Sequence, residues 1–121
     1  MDAALQSLGL TTPQYEVLSA LNAQPGLSGA ALARRCFVTP QTITGVIRNL
    51  ETAGLVARAA DPENRRVMQT RLTAQGADVV TRAQALVAAI EERMLADLDR
   101  AEREALADLL TQCADALKDA R

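Results

Sequence analysis

Residues 39–54 read TPQTITGVIRNLETAG. Thr39 followed by Pro40 is a helix start: a threonine hydroxyl accepts an orphan N–H of the first turn, and proline's fixed φ fits a first helical position that needs no N–H. Ile43, Val46, Ile47 and Leu50 then recur at spacings of 3 and 4, the stripe of a helix with one buried face. Gly54 stands just past Ala53, where a left-handed C-terminal cap is wanted. Immediately upstream, Ser28 to Phe37 predicts another helix of about three turns. Ser28 caps it, Ala31, Leu32 and Cys36 lie on one side, and Arg34 and Arg35 point elsewhere. Two helices separated by so tight a break form a helix-turn-helix pattern.

Leu10 to Leu21 predicts an earlier helix, with Thr12 as cap, Pro13 in the first helical position, and Tyr15, Val17, Leu18 and Leu21 on its apolar face. Pro25-Gly26 ends it. After Gly54, Leu55 to Ala60 and Arg66 to Leu72 are two short extended segments around the turn-forming Asp61-Pro62-Glu63-Asn64-Arg65, and they predict a hairpin. Thr73 caps the next helix. Its apolar positions Val79, Val80, Ala83, Leu86, Val87, Ile90, Met94 and Leu98 carry it from Ala74 to Leu98, about 25 residues or roughly 37 Å. A last helix is expected from Arg100 to Leu117, with Leu106, Leu109, Leu110, Cys113 and Leu117 on one face. A helix as long as the one from Ala74 to Leu98 exceeds what a small core needs, so it is expected to reach a second copy of the chain as a coiled-coil-like arm. The fold class is mainly α with a small β hairpin.

The chain has 121 residues, enough for one domain, read here as 1–121. Its 49% apolar and 23% charged content predicts a packed core. There is no His and no Trp, and there are only two Cys, Cys36 and Cys113, with no C-x-x-C between them. The missing histidine removes Ser-His-Asp and Cys-His catalysis, His-bearing zinc sites and imidazole pH switches. No catalytic residue, metal ligand or cofactor is therefore expected. The adjacent Glu91-Glu92 reads as a solvated helix face, not an acid-base pair. No basic run precedes an apolar stretch near Met1, and no uninterrupted apolar window approaches roughly 18 residues. A cytoplasmic protein without a membrane segment is expected.

The formal charge of -2 looks unsuited to nucleic acid until it is sorted by position. Between Ser28 and Arg71 stand seven arginines (34, 35, 48, 58, 65, 66 and 71) against three acids (Glu51, Asp61 and Glu63), a surplus of four positive charges. The rest of the chain carries six basic and twelve acidic residues. The basic part coincides with the helix-turn-helix and the hairpin. Its cations are all arginine, whose planar fork suits phosphate and guanine edges better than a lysine ammonium does.

Helix-turn-helix, hairpin and long helix in that order make a winged helix-turn-helix with long C-terminal dimerisation helices. Three stretches then become specific: residues 10–18 (LTTPQYEVL), residues 50–56 (LETAGLV), and residues 61–66 (DPENRR) running on to 72–76 (LTAQG). In that order and spacing the chain resembles the MarR family of bacterial transcriptional regulators over residues 10 to 118. The resemblance implies a homodimeric regulator, most often a repressor, that binds palindromic double-stranded DNA. Each winged helix, here 10–73, would place its recognition helix in a major groove and its wing tip over the adjacent minor groove. Residues 74–121 with 1–9 would dimerise.

Carried onto this sequence, the recognition helix keeps Ile43, Ile47 and Leu50 for the core and offers Thr39, Gln41, Thr42, Thr44, Gly45, Arg48 and Asn49 to DNA. Gln reads adenine bidentately, and Thr offers a hydroxyl or touches a thymine methyl. Arg48 and Asn49 are expected on phosphates. Gly45 costs about 1 kcal/mol relative to Ala in mid-helix, a cost that close approach to DNA or close helix packing would each explain. In the wing, the family pattern implies that Asp61 and Arg66 brace one another. Arg65 is the candidate for the minor groove. Glu63 stands where some relatives carry arginine. Arg34 and Arg35 are candidate phosphate contacts or solvated charges.

Some members of the family sense oxidants through a thiol near the start of their first helix, a place neither cysteine occupies here. Buried, inert thiols are expected. Arg34 and Arg35 would activate Cys36 only if it were exposed. Other members answer small aromatic acids bound between the DNA-binding lobe and the dimer arm, so a small-molecule effector is a candidate partner, although no motif here identifies one. The family normally has a full helix before the Leu-Thr motif, whereas residues 2–8 can form about two turns. Either the chain begins upstream of Met1, or the dimer uses its last two helices alone. The competing reading is a winged helix that assembles with other proteins and does not touch DNA.

Overall fold

The computed structural model describes residues 2–119; Met1 and residues 120–121, the extremes of the expected domain, lie outside the described residues. Helices α1 (Asp2–Gln6) and α2 (Thr12–Ala23) lead to a two-residue strand β1 (Leu27–Ser28) and helix α3 (Gly29–Arg35). Helix α4 (Pro40–Thr52) precedes strands β2 (Val56–Ala60) and β3 (Met68–Leu72), and helices α5 (Ala74–Leu95) and α6 (Arg100–Asp119) follow. The three strands form one antiparallel sheet in the order β1-β3-β2. Leu27 faces Thr70 across β1 and β3, and the hairpin register runs from Val56 opposite Leu72 to Ala60 opposite Met68. This is a winged helix.

Most element ends follow from local chemistry. Ser28 and Thr39 cap α3 and α4 by accepting the N–H groups of Ala31 and Thr42 at 3.1 Å each. At α2 the cap is Thr11, not Thr12. Gln14, three residues on, returns its side chain to the Thr11 N–H at 2.9 Å while the Thr11 hydroxyl accepts the Gln14 N–H, a reciprocal pair that Thr12 could not make with Tyr15. Helix α3 is shorter than expected. It ends in a turn where Val38 N–H reaches Ala33 O at 3.0 Å and Phe37 takes φ +58. Gly54 ends α4 in the same way, at φ +79 with Leu55 N–H on Leu50 O at 3.0 Å.

The chain divides into two compact units, Met1–Val87 and Ala88–Arg121, with the boundary inside α5. The first unit holds the core. Leu5, Leu10, Val17, Leu18, Leu21, Leu32, Ile43, Ile47, Leu50, Val56 and Val80 are all buried in it. Each such side chain contributes about 1.5–3 kcal/mol. Gly76 is buried at the closest approach of α5 to the segment entering β2. A Cβ there would overlap the carbonyl oxygen of Leu55 and lie 2.9 Å from its carbonyl carbon. In the second unit α6 has no buried residue between 100 and 117, and Leu109, Leu110 and Leu117 are exposed.

Candidate nucleic-acid interface

Helix α4 separates its two faces cleanly. Ile43, Ile47 and Leu50 are buried, while Thr39, Gln41, Thr42, Thr44, Gly45, Arg48 and Asn49 are all exposed. The seven residues expected to face DNA thus lie together on one open surface. Internal hydrogen bonds assign different duties to the two threonines. Thr39 Oγ1 donates to Thr42 Oγ1 at 3.0 Å, so Thr42 retains its own proton for an outward bond. Thr44 donates to the carbonyl of Pro40 at 2.8 Å, which leaves it a methyl and lone pairs to present. A Cβ on Gly45 would meet nothing within 4 Å. Close packing inside the chain therefore does not account for this glycine.

The wing tip is built from two side-chain turns. Asp61 Oδ1 accepts the Glu63 N–H at 2.9 Å, and Asn64 Oδ1 accepts the Arg66 N–H at 3.2 Å. Backbone bonds from Asp61 N–H to Val67 O (2.8 Å) and from Val67 N–H to Asn64 O (2.9 Å) close the loop. The expected brace between Asp61 and Arg66 is not formed. The Asp61 carboxylate is turned inward onto the loop backbone, and both Arg65 and Arg66 side chains are exposed with no carboxylate partner among the described residues.

One contact went unanticipated: Arg58 Nη2 of β2 pairs with Glu51 Oε1 near the end of α4 at 3.1 Å. It ties the base of the wing to the recognition helix and removes one of the seven arginines from the free charge. Seven positions separate the two residues on different elements, so periodicity gives no sign of it. Arg35 donates to Gln24 Oε1 at 3.2 Å, and Arg34 is exposed with no carboxylate partner among the described residues.

The cysteines depart from expectation. Cys113 is exposed, as are Leu109, Leu110 and Leu117 of the same helix. Cys36 is half-buried, and burial followed by the nearby Glu16 carboxylate pushes its thiol above the ordinary value; Arg35 acts in the opposite sense and does not prevail. The arginines therefore do not activate it. Cys36 lines a cavity of about 370 Å³ beside α2, together with Tyr15, Glu16, Ser19, Arg35 and Phe37. Among the described residues no group of three or more His, Cys, Asp or Glu could hold a metal ion, and no helix is long and apolar enough to cross a membrane.

The profile of the MarR family matches residues 8–67, the winged helix-turn-helix just described. The HTH-type transcriptional repressor Rv2887 of Mycobacterium tuberculosis is 47% identical over 98 residues, covering 81% of this chain and 70% of that protein. The chain belongs to the MarR family. Two solved structures of MarR regulators agree in fold. The PcaV regulator of Streptomyces coelicolor, bound to its natural ligand, has a TM-score of 0.79 and 35% identity over 89% of this chain and 77% of its own. BpsR of Bordetella bronchiseptica, whose DNA binding is regulated by 6-hydroxynicotinic acid, has a TM-score of 0.81 and 30% identity over 93% and 84%. Like its MarR relatives, this chain is a DNA-binding transcriptional regulator.

Proposed function

We propose that this chain acts in the cytoplasm as a homodimeric repressor of a palindromic operator, and that binding, without catalysis, is its whole activity. Residues 74–121 with 1–9 serve the dimer in this reading. The observation that carries it is the open face of α4, where base-reading side chains surround a glycine that no internal contact requires. Gln41, Thr42 and Thr44 read base edges in the major groove, Gly45 lets the backbone come close, and Thr39, Arg48 and Asn49 hold phosphates. Arg65 enters the minor groove, Arg66 and Asp61 shape the wing beside it, and Arg34 and Arg35 add phosphate contacts. The exposed apolar face of α6 supports pairing with a second copy. The ligands of PcaV and BpsR support release by a small molecule here as well, testable by adding 6-hydroxynicotinic acid to the protein–DNA complex. The raised thiol of Cys36 speaks against release by an oxidant at that residue.

Binding to duplex DNA recovered by selection from a random pool, followed by fluorescence anisotropy over a salt series, tests the central reading. Steep loss of affinity with salt is expected, each phosphate contact contributing about 0.9 to the logarithmic slope. Arg65→Ala should weaken binding and lower that slope by about 1. A wild-type chain that binds no duplex even at low salt would leave the protein–protein assembly reading in its place.

A further inference from the structure

The join between α5 and α6 is held by more than its turn. Asp99 and Glu102 cap α6 reciprocally: Asp99 N–H donates to Glu102 Oε1 at 2.9 Å, and Glu102 N–H donates to Asp99 Oδ1 at 2.8 Å. From the first turn of α6, Arg103 reaches back. Its Nη2 donates to the carbonyl of Leu95 at 2.9 Å, its Nε to the carbonyl of Leu98 at 3.2 Å, and its Nη1 to both carboxylate oxygens of Glu92 at 3.3 and 3.4 Å. All three guanidinium nitrogens are engaged, two on carbonyls at and just past the end of α5 and one on the preceding turn. Lysine, a point charge on a flexible stem, cannot reproduce that fork.

Among the described residues no buried side chain of α6 competes for this task. Between residues 100 and 117 the helix has no buried side chain among the described residues, so core packing there does not fix the direction in which it leaves α5. The side chain of Arg103 is 35% exposed while its neighbour Arg100 is 95% exposed, although both belong to the same turn. Glu92, which the sequence offers only as part of a solvated face, is the anionic end of the clasp.

We propose that Arg103 is a positioning residue for DNA binding: the Arg103–Glu92 clasp fixes the elbow between α5 and α6 and so sets the separation at which two recognition helices meet the operator. This rests on the dimeric reading above, with α6 as an arm of the dimer. A dimer that binds two half-sites prefers one centre-to-centre spacing, near one helical turn of about 10–10.5 bp or a multiple of it. A rigid elbow makes that preference sharp, and a loosened one broadens it without altering how either lobe reads its own half-site.

The test uses the full chain and a set of duplexes carrying two copies of the selected half-site, with spacing varied one base pair at a time, plus a duplex with a single half-site. The wild type should lose about tenfold in affinity two base pairs from its optimum, or about 1.4 kcal/mol. Arg103→Ala should flatten the profile to within about threefold, keep the single-half-site affinity, and not be rescued by Arg103→Lys. Circular dichroism and sedimentation confirm that the variants fold and pair. A folded, dimeric Arg103→Ala with the wild-type spacing profile would overturn the proposal. If that variant does not fold, Glu92→Gln, at a side chain 69% exposed, takes its place, and an unchanged profile there overturns the proposal equally. A wild type that is dimeric in sedimentation yet indifferent to spacing overturns the clasp alone; one that stays monomeric overturns the dimeric reading and the clasp with it.

Discussion

Replacing Gly45 by alanine is expected to move stability and DNA affinity in opposite directions. The residue lies in mid-helix in α4, is exposed, and has open space where its Cβ would stand, so the fold opposes the methyl nowhere. Alanine then recovers the helix propensity that glycine forgoes, about 0.8–1.0 kcal/mol. For a domain of this size that is a rise in melting temperature of about 4 °C, read at fixed protomer concentration because folding and association would be linked in the proposed dimer. In the proposed DNA complex the same methyl occupies the space through which the backbone of α4 approaches the groove. Displacing the close contacts on either side costs about 1–3 kcal/mol per half-site, so the proposed dimer, with two half-sites, should bind its operator at least about thirtyfold more weakly. Urea melts and anisotropy titrations on the same preparations give both numbers. A variant of unchanged or lower stability would refute the claim that the site is open and helical. A more stable variant with undiminished affinity would refute the claim that DNA comes close at Gly45.

Gly76→Ala, the same exchange in α5, should have the opposite effect on stability. Its Cβ would overlap the Leu55 carbonyl, which also accepts the Thr73 N–H at 3.1 Å, and backbone cannot rotate out of the way. A net loss of about 2–3 kcal/mol in urea melts is expected, and a neutral result would mean that α5 and Leu55 separate freely. For the cysteines, Cys36 in a Cys113→Ser background should react with a disulfide reagent at pH 8 several-fold more slowly than Cys113 in a Cys36→Ser background, because it is half-buried and burial raises its thiol, whereas Cys113 is exposed. Equal rates would remove the burial argument. The raised folded value of Cys36 has a linked consequence: its contribution to stability is complete below the ordinary thiol value and is lost as pH climbs toward the raised one.

Most features that depended on residues within one turn were legible in the sequence, although the α2 cap fell on Thr11 one residue before the expected Thr12. Thr39-Pro40 starts α4, Gly54 stops it, and Ile43, Ile47 and Leu50 are buried, because caps, φ preferences and helical spacing are local physics. The features that escaped are those decided at a distance. Strand β1 is two residues long and exists because β3 offers it an edge, which no alternation in two residues can signal. The apolar pattern carries α5 as far as Leu98, yet the helix stops at Leu95, near where Arg103 of the next helix occupies the carbonyls. Cys113 follows the apolar period of α6 onto a face that is exposed, with Leu109, Leu110 and Leu117. Asp61 prefers its own loop backbone to Arg66, a choice between two partners that residue type alone does not decide.

The charge of the basic middle is resolved by the same kind of distinction. Seven arginines between Ser28 and Arg71 are equivalent in a count, but they are not equivalent in the fold. Arg58 is neutralised by Glu51, whereas Arg35 and Arg71 bond to the uncharged Gln24 and Gln69 and keep their charge. Arg34, Arg48, Arg65 and Arg66 have no carboxylate within reach among the described residues. Arg48 lies on the open face of α4 and Arg65 and Arg66 at the wing tip, the two places proposed above to meet the two grooves. The bridge that spends Arg58 and Glu51 joins those two places. A free charge is given up at the base of the wing, and the elements that bear the remaining arginines are held to each other. Since a surface pair of this kind contributes at most about 1 kcal/mol to stability, its worth lies more in keeping helix and wing in register than in holding the fold together.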